Sequence, residues 1–324
     1  MAAIIIIIII SAVIALGLLT AYLCYRNAFV VPREATKNPH IFPDRDEYKV
    51  NAEYLHSLVD RSAALPCDDV YTMSYDGLKL HGRYFEVKKG APLHILFHGY
   101  KGNGFRDFAG GLVVTLESGC NALLIDERGH GDSEGKVLTF GVKERRDVLS
   151  WVDFARKQWG EDIPIVIYGI SMGAATVLMA SELELPENVK GIIADCGYDS
   201  PKAIIKKVME YRHYPAGFMW FFVKIGAALF AHFNPDESTA VDAVKKCRIP
   251  VLFIHGDGDA FVPCYMTKNN YEACASEKFI EIFPRAGHGL CYVEDTQRYV
   301  KAVHDFQKLV FPAFTSCMGR GSYL

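Results

Sequence analysis

Residues 163–183 read IPIVIYGISMGAATVLMASEL, an apolar run that passes through a glycine–serine–glycine turn into a second apolar stretch. Ile163–Tyr168 has the continuous apolar character of a strand buried on both faces, and Met172–Leu183 has the length and composition of a helix. Between them, residues 169–173 (GISMG) match the pattern G-x-S-x-G. In that strand–turn–helix context the pattern predicts a sharp, strained turn that exposes the serine hydroxyl. We therefore expect Ser171 to be a nucleophile.

Other apolar runs alternate with amphipathic stretches on either side of this turn. Short continuous apolar runs predict buried parallel strands, and stretches with apolar residues on one face predict helices. The predicted strands are Leu93–Phe97, Ala122–Ile125, Gly191–Ala194, Val251–Ile254 and Phe279–Phe283. The predicted helices are Arg106–Leu116, Val142–Gln158, Pro263–Ala275 and Val293–Leu309. This alternation predicts an α/β fold, a mostly parallel sheet with helices on both faces.

The chain begins its regular pattern with a predicted hairpin. Tyr71–Ser74 and Leu78–Phe85 have strand character and flank Asp76-Gly77. An Asp-Gly pair between two strands is a strong signal for a two-residue turn.

A serine hydroxyl becomes a good nucleophile only when a neighbouring base takes its proton. The histidines downstream of Ser171 are His213, His232, His255, His288 and His304. We expect His288 to be the base, because it follows the last predicted strand directly and lies among small residues in Ala-Gly-His-Gly. His255 ends a predicted strand and His304 falls within the final helix, so both are interpreted as packing residues.

The acid that orients the histidine is expected in the loop after the preceding strand, since the order in such enzymes is serine, acid, histidine. That loop, residues 255–263, reads HGDGDAFVP and offers both Asp257 and Asp259. Spacing alone leaves both carboxylates open.

Backbone N–H groups that bind the developing oxyanion complete the site that an acyl-transfer reaction needs. One is expected from Met172, the residue after the nucleophile. The second is expected from Tyr100, in the glycine-rich loop HGYKGNG at residues 98–104. The chain lacks G-x-x-x-x-G-K-[ST] and G-x-G-x-x-G, which argues against a phosphate cradle in this loop. The loop DERGHGDSEG at residues 126–135 is interpreted as structural.

These motifs, in this order, resemble the α/β-hydrolase superfamily over about residues 68–312. The resemblance rests on five motifs: His98-Gly99, D-x-R-G-H-G-x-S at 126–133, G-x-S-M-G at 169–173, H-G-x-x-D-x-x-V-P at 255–263 and G-H-G at 287–289. The chain looks most like membrane-anchored bacterial hydrolases of the serine aminopeptidase-like and monoacylglycerol lipase-like kinds. The resemblance implies that Asp259 is the acid of a catalytic triad. It also implies a helical cap at about residues 198–246, whose apolar stretch 218–230 either lines an acyl pocket or packs the cap onto the core.

The N-terminal segment carries no charge from Ala2 to Tyr25 and includes seven consecutive isoleucines. About 20 apolar residues span a bilayer as a helix, so residues 1–25 predict a transmembrane anchor. A cleaved signal peptide and a buried helix are the alternatives, but the apolar run is long for a signal peptide, and a helix that is apolar on every face would need an enclosing core. Arg26, Arg33 and Lys37 follow the span, which predicts a single-pass protein with its catalytic domain in the cytoplasm. Residues 26–67 are predicted to be a juxtamembrane linker with one helix near Glu53–Leu58, and residues 313–324 a C-terminal tail.

The expected function is that of a serine hydrolase acting on carboxylic esters, either lipid-like or short acyl esters. A serine peptidase on the same fold is the alternative; it would need an acidic residue to hold the substrate amine, and Glu210, Asp236 and Glu237 are the candidates. An inactive, membrane-tethered interaction protein is a third reading. The formal net charge of −3, without a basic cluster, argues against nucleic acid as a partner. No cofactor and no metal site are expected.

Overall fold

An eight-stranded sheet forms the centre of the protein, and a computed structural model describes residues 1–315. The strands lie in the order β1-β2-β4-β3-β5-β6-β7-β8. The first two strands run antiparallel to their neighbours, and the pairs from β4 to β8 are parallel. The strands are β1 Asp68–Met73, β2 Lys79–Phe85, β3 Leu93–Phe97, β4 Asn121–Ile125, β5 Ile165–Ile170, β6 Val189–Asp195, β7 Val251–Gly256 and β8 Lys278–Phe283.

Helices cover both faces of this sheet. They are α1 Ala2–Phe29, α2 Arg33–Lys37, α3 Asp46–Val50, α4 Ala52–Ala63, α5 Gly104–Asp107, α6 Ala109–Glu117, α7 Glu144–Trp159, α8 Met172–Ala180, α9 Pro201–Tyr211, α10 Ala216–Phe230, α11 Ala240–Ala243, α12 Cys264–Ala273, α13 Cys291–Glu294, α14 Thr296–Val310 and α15 Pro312–Thr315. Along β3, Ile95 and Phe97 join the core on the side of α7 and α8, while Leu96 joins the core on the side of α6 and α14. The predicted α/β fold is confirmed.

Three predicted elements differ in detail. β5 begins at Ile165 because Pro164 lacks the N–H that a strand ladder uses. The predicted helix Arg106–Leu116 is divided into α5 and α6 at Phe108, whose non-helical backbone places its buried ring edge-on against Tyr168. The predicted two-residue hairpin is a three-residue loop, because Ser74 pairs with Leu78 through a backbone hydrogen bond. Gly77 in this loop has φ +87°, a conformation that glycine adopts without strain.

In the segment 26–67, the helix predicted near Glu53–Leu58 is present as α4, and the segment has further helices and buried side chains that its sequence does not predict. α1 continues to Phe29, and α2, α3 and α4 follow it. Phe29 is fully buried, with its ring edge-on against Phe140 and Phe233. Further along the segment, Leu58 and Val59 are buried beside α6. This packing is not apparent from the polar composition of the segment, because a few buried apolar residues separated by charged ones show no clear helical periodicity.

The connection from β6 to β7 contains α9, α10 and α11, in the region predicted to be a cap. The apolar stretch of α10 is divided between two environments. Trp220 and Val223 are buried, whereas Phe218 and Phe221 are exposed. We call this connection the insertion. Because α10 packs along α1, the insertion contacts the N-terminal helix as well as the body of the protein.

α1 is the one helix of the described residues that is long and apolar enough to cross a membrane. The seven isoleucines are exposed along it. Its contacts with the rest of the protein lie in its C-terminal half, at residues such as Gly17, Ala21 and Cys24.

The packing of Phe29 provides a test of whether the segment after α1 belongs to the folded body. We expect Phe29→Ala to lower the free energy of unfolding by about 3–5 kcal/mol, because it leaves a cavity between two other rings. Val50→Ala is the control, since Val50 is 84% exposed in the same segment. Thermal unfolding of the full chain in detergent micelles measures both. Equal stability of the two variants would mean that the segment is a loose linker after all.

Candidate active site

The turn between β5 and α8 holds Ser171 in an unusual backbone conformation. Its φ is +56° and its ψ is −114°, a region that residues other than glycine rarely adopt. Strain of this kind persists only where the surroundings fix it, and it is frequent at functional sites. Here the Ser171 N–H donates to the carbonyl of Asp195 (2.8 Å), and its carbonyl accepts from Ala175 (3.1 Å).

The two glycines of the turn are required by close backbone contacts. A Cβ on Gly169 would lie 2.1 Å from the carbonyl oxygen of Gly173, and one on Gly173 would lie 1.9 Å from the carbonyl oxygen of Phe97. Both distances are far inside van der Waals contact. The G-x-S-x-G pattern therefore reflects how tightly the turn packs against the end of β3.

The structure brings Ser171, His288 and Asp259 together at the carboxyl ends of their strands. Nε2 of His288 lies 2.8 Å from Oγ of Ser171, and Nδ1 lies 2.6 Å from Oδ2 of Asp259. With Asp259 ionised, Nδ1 donates to the carboxylate and Nε2 is left to accept the serine proton. The three residues come from the loops after β5, β7 and β8.

Asp259 is held in its ionised form. Burial opposes ionisation, but the nearby His288 and the hydrogen bonds from His255 and His288 outweigh it, so the pKa of Asp259 lies below its ordinary range. The other carboxylate oxygen accepts from the backbone N–H groups of Phe261 (2.9 Å) and Val262 (2.8 Å). A buried carboxylate with this many donors is a fixed negative charge beside the imidazole.

Asp257, the other carboxylate of this loop, lies elsewhere. It is exposed and accepts from the backbone N–H of Arg285 at 2.6 Å. That bond ties the loop after β7 to the loop after β8. His255 also has a structural position, because its Nε2 donates to the carbonyl of Val262 at 2.8 Å.

The loop after β3 lies against the serine. A Cβ on Gly99 would lie 3.2 Å from Cβ of Ser171, so the backbone that continues into Tyr100 passes directly beside the nucleophile. Among the described residues, neither the N–H of Tyr100 nor that of Met172 has a hydrogen-bond acceptor. The loop is held by Asp107, whose carboxylate accepts from the N–H of Gly99 at 2.8 Å.

The N-terminal segment holds this loop from outside through hydrogen bonds that no sequence motif predicts. The Tyr100 hydroxyl donates to the carbonyl of Ala28 (3.0 Å), and Nζ of Lys101 donates to the carbonyl of Asn27 (2.8 Å). Both acceptors are carbonyls at the C-terminal end of α1, where a helix leaves carbonyl groups unpaired. Further on, the side-chain amide of Asn103 donates to the carbonyl of Thr36 at 2.7 Å.

The same segment also supports the loop after β8 that carries His288, which we call the histidine loop. The Tyr48 hydroxyl donates to the carbonyl of His288 at 2.7 Å. The guanidinium of Arg45 lies 3.7 Å from the centre of the Phe261 ring, and that ring packs edge-on against His288. No motif marks Tyr48 or Arg45, because their partners are a backbone carbonyl and a ring some 200 positions away.

A second buried carboxylate near the triad, Asp195, was also missed. It ends β6 and accepts from the hydroxyl of Tyr299 at 2.7 Å, and that hydroxyl also contacts the hydroxyl of Tyr168. Burial raises the pKa of Asp195 to about 6, against the hydrogen bond from Tyr299, which lowers it. No motif marks Asp195, which is the last residue of β6 and whose side-chain partner Tyr299 is 104 positions away.

The loop 126–135 has the structural position that its interpretation predicts. Arg128 is buried and pairs with Asp147 (2.7 Å) and Asp76 (3.0 Å). The neighbouring Glu127 is fully buried, and burial, together with the charges of Glu144 and Asp147, raises its pKa well above the ordinary value. His130 is buried with its pKa lowered to about 3, so it stays neutral.

One group of side chains in the described residues has metal-like spacing. Ligand atoms of His81, Asp126 and Asp132 lie within 4.8 Å of one another. His81 and Asp126 already bond to each other at 2.7 Å, and Arg83 pairs with Asp126 at 3.3 Å. Arg83 supplies a positive charge beside both carboxylates, so this cluster is described as an ion-pair network.

The acidic residues considered for holding a substrate amine are mostly engaged elsewhere. Asp236 pairs with Lys224 (2.7 Å), and Glu237 pairs with Arg145 (3.0 Å). Glu210 is exposed near the end of α9.

Comparison with known proteins agrees with this architecture. A sequence model of the alpha/beta hydrolase fold matches residues 92–224. The solved structure of the esterase Pf2001 from Pyrococcus furiosus superposes with a TM-score of 0.66 and 20% identity, covering 87% of this chain and 97% of that one. The chain has the alpha/beta hydrolase fold.

Two curated relatives extend the comparison. The uncharacterized protein YqkD of Bacillus subtilis is 28% identical over 60% of this chain, and the lysophosphatidylserine lipase ABHD12 of Danio rerio is 29% identical over 58%. The matched regions span 64% and 48% of the length of these two relatives.

The raised pKa of Asp195 leads to a pH dependence of stability. A folded-state pKa of about 6 exceeds the unfolded value of about 4, so the stabilisation from this carboxyl is complete below pH 4 and lost as the pH rises through 6. Asp195→Asn keeps an acceptor for Tyr299 but cannot ionise. We expect the free energy of unfolding of the variant, relative to that of the wild type, to increase by about 2–3 kcal/mol from pH 4.5 to pH 8.

Thermal unfolding of both proteins at the two pH values measures this gain. Asp257→Asn is the matched control, because that carboxylate is exposed. A constant difference between wild type and Asp195→Asn at both pH values would contradict the expectation.

Proposed function

We propose that this protein is a serine hydrolase that cleaves carboxylic esters through an acyl-serine intermediate, with Ser171, His288 and Asp259 as its catalytic triad. The observation that carries the proposal is the continuous chain of hydrogen bonds from Asp259 through His288 to Ser171. The strained turn beneath the serine and the ionised state of Asp259 support it, since both are features that this chemistry uses.

The reaction follows from the positions of these groups. Oγ of Ser171 attacks the ester carbonyl while Nε2 of His288 takes the hydroxyl proton. The carbonyl oxygen becomes an oxyanion, for which the N–H groups of Tyr100 and Met172 are the proposed donors. The imidazolium returns the proton to the leaving alcohol, and the acyl group stays on the serine. Water, deprotonated by His288, then releases the acid and restores the hydroxyl.

Esters are favoured over peptides as substrates by the charges of the insertion. Two of the three acidic residues that could hold a substrate amine are already paired with lysine or arginine. The lipase and esterase names of the similar proteins support an ester substrate.

We further propose that α1 is a single-pass membrane anchor, that residues 68–312 form the catalytic domain and that the insertion at about 198–246 acts as its cap. The exposed isoleucines of α1 support the anchor, because such a surface is stable only in an apolar medium. Arg26, Arg33 and Lys37 support a cytoplasmic catalytic domain. An enzyme held at a membrane fits an amphiphilic ester.

Labelling with a fluorophosphonate probe tests the nucleophile. We expect the full chain in detergent to be labelled at Ser171 and to hydrolyse p-nitrophenyl esters, because the probe reacts only with an activated serine hydroxyl. Ser171→Ala should lose labelling and at least about 10⁴-fold in kcat. Ser150→Ala, on the surface of α7, is the control and should keep both. Undiminished activity in Ser171→Ala would refute the proposed mechanism.

The two carboxylates of one loop allow a matched test of the acid. Asp259→Asn should lower kcat by about 10³–10⁴-fold, because the neutral amide no longer favours the tautomer with a free Nε2. Asp257→Asn should leave kcat nearly unchanged, since that residue only joins two loops. Steady-state kinetics on a p-nitrophenyl ester compares them. The reverse order of effects would assign the acid to Asp257.

A further inference from the structure

The outer side of α10 is an exposed apolar surface on a helix that belongs to the insertion. Phe218 is 66% exposed, Phe221 61% and Leu229 51%. At about 100° per residue these three side chains lie on one side of the helix, together with the exposed Gly217 and Ala228. We name these five residues the α10 strip. Large side chains of this kind, exposed together, mark a surface that binds a partner.

The direction of α10 follows from its contacts with α1. Phe222 faces Gly17, Gly226 faces Ala21, and the ring of Phe230 packs against that of Tyr25. The members of each pair are 205 positions apart. A constant spacing over eight residues means that the two helices run parallel and side by side for about 12 Å.

The contact between these helices is close. A Cβ on Gly226 would lie 2.5 Å from the carbonyl oxygen of Ala21, so only glycine allows this approach. On α1 the facing residues are Gly17 and Ala21, two small residues four positions apart. Small residues at such spacing are the usual means by which helices pack against each other in a lipid medium.

The α10 strip continues the apolar surface of α1. On the helix, Phe218 and Leu229 lie next to Phe222, on the side that meets α1, so lipid that surrounds α1 reaches them without crossing a polar boundary. The opposite edge of the strip carries Lys224, which pairs with Asp236 at 2.7 Å. A charge at one edge and a membrane helix at the other is the arrangement of a helix that lies partly in a bilayer.

We propose that the α10 strip is embedded among lipid acyl chains beside α1, so that the insertion is a second membrane contact of this protein. This inference rests on the proposed role of α1 as an anchor. The strip belongs to the proposed cap, so the membrane that holds the enzyme also holds the segment that covers its active site. The substrate class that this arrangement favours is an ester with a long acyl chain, delivered from the bilayer.

Lipid photolabelling of the full chain tests the contact. The protein is reconstituted in phosphatidylcholine vesicles that contain a lipid with a diazirine near the middle of its acyl chain. After irradiation, trypsin releases residues 213–224, which contain Phe218 and Phe221, and residues 279–285, which contain Phe279. Phe279 is the internal control, because it is 39% exposed on the edge strand β8. We expect lipid adducts on 213–224 at several times their level on 279–285.

Two results would overturn the proposal. Adducts confined to α1 would mean that water or protein covers the strip. A chemically cross-linked dimer joined through residues 213–224, with no lipid adducts there, would mean that a second copy of the chain covers it.

A pair of variants connects the contact to substrate delivery. Phe218→Ser/Phe221→Ser should lose adducts on 213–224 and at least fivefold in the rate on a long-chain ester embedded in vesicles. The rate on soluble p-nitrophenyl acetate should stay the same, and so should fluorophosphonate labelling, which also shows that the variant is folded. Phe279→Ser should change none of these. If the wild-type protein were not labelled by the fluorophosphonate, the hydrolase function would be refuted. If it were labelled but carried no lipid adducts on residues 213–224, only the membrane contact would be refuted.

Discussion

The turn at Ser171 is possible only because three backbone segments meet with no side chain between them. Gly169 and Gly173 contact each other, and Gly173 also contacts the end of β3, at distances that leave no room for a methyl group. This contact fixes the end of β5 against the end of β3, and therefore the serine against the loop that begins at Gly99. The arrangement of the site follows, because the loops after β7 and β8 then have only one place where Asp259 and His288 can meet the hydroxyl.

The part of the chain that runs from the end of α1 to the first strand gives this site its outer support. It reaches the glycine-rich loop through Tyr100, Lys101 and Asn103, and it reaches the histidine loop through Tyr48. All of these bonds have a backbone carbonyl as acceptor, so they constrain loop positions without forming ion pairs. α1 and the active site are consequently parts of one packed unit.

The fold and the positions of Ser171 and His288 could be predicted from the sequence because they depend on local patterns, whereas spacing alone did not separate Asp259 from Asp257. A buried parallel strand is an apolar run in the sequence whatever strands it pairs with, and the sharp turn requires glycines that are recognisable as the pattern G-x-S-x-G. Tyr48, Arg45 and Asp195 could not be found in this way. Each acts through a contact with residues far away in the chain, and no motif marks any of the three. The packing of the segment 26–67 could not be predicted from its sequence for a related reason, since its polar composition is typical of a connector while a few buried residues such as Phe29 determine how it packs.

The hydrogen bonds from Tyr100 and Lys101 to the last carbonyls of α1 have a practical consequence for biochemistry on this protein. Removing the apolar N-terminal helix is an obvious way to obtain protein that needs no detergent. A truncated protein that begins near Tyr48 would be a natural choice. That cut discards Asn27, Ala28 and Thr36, the acceptors that hold the glycine-rich loop. Kinetic constants of such a truncated protein would describe an enzyme whose glycine-rich loop is less firmly held. A low turnover number could then be attributed wrongly to an unsuitable substrate.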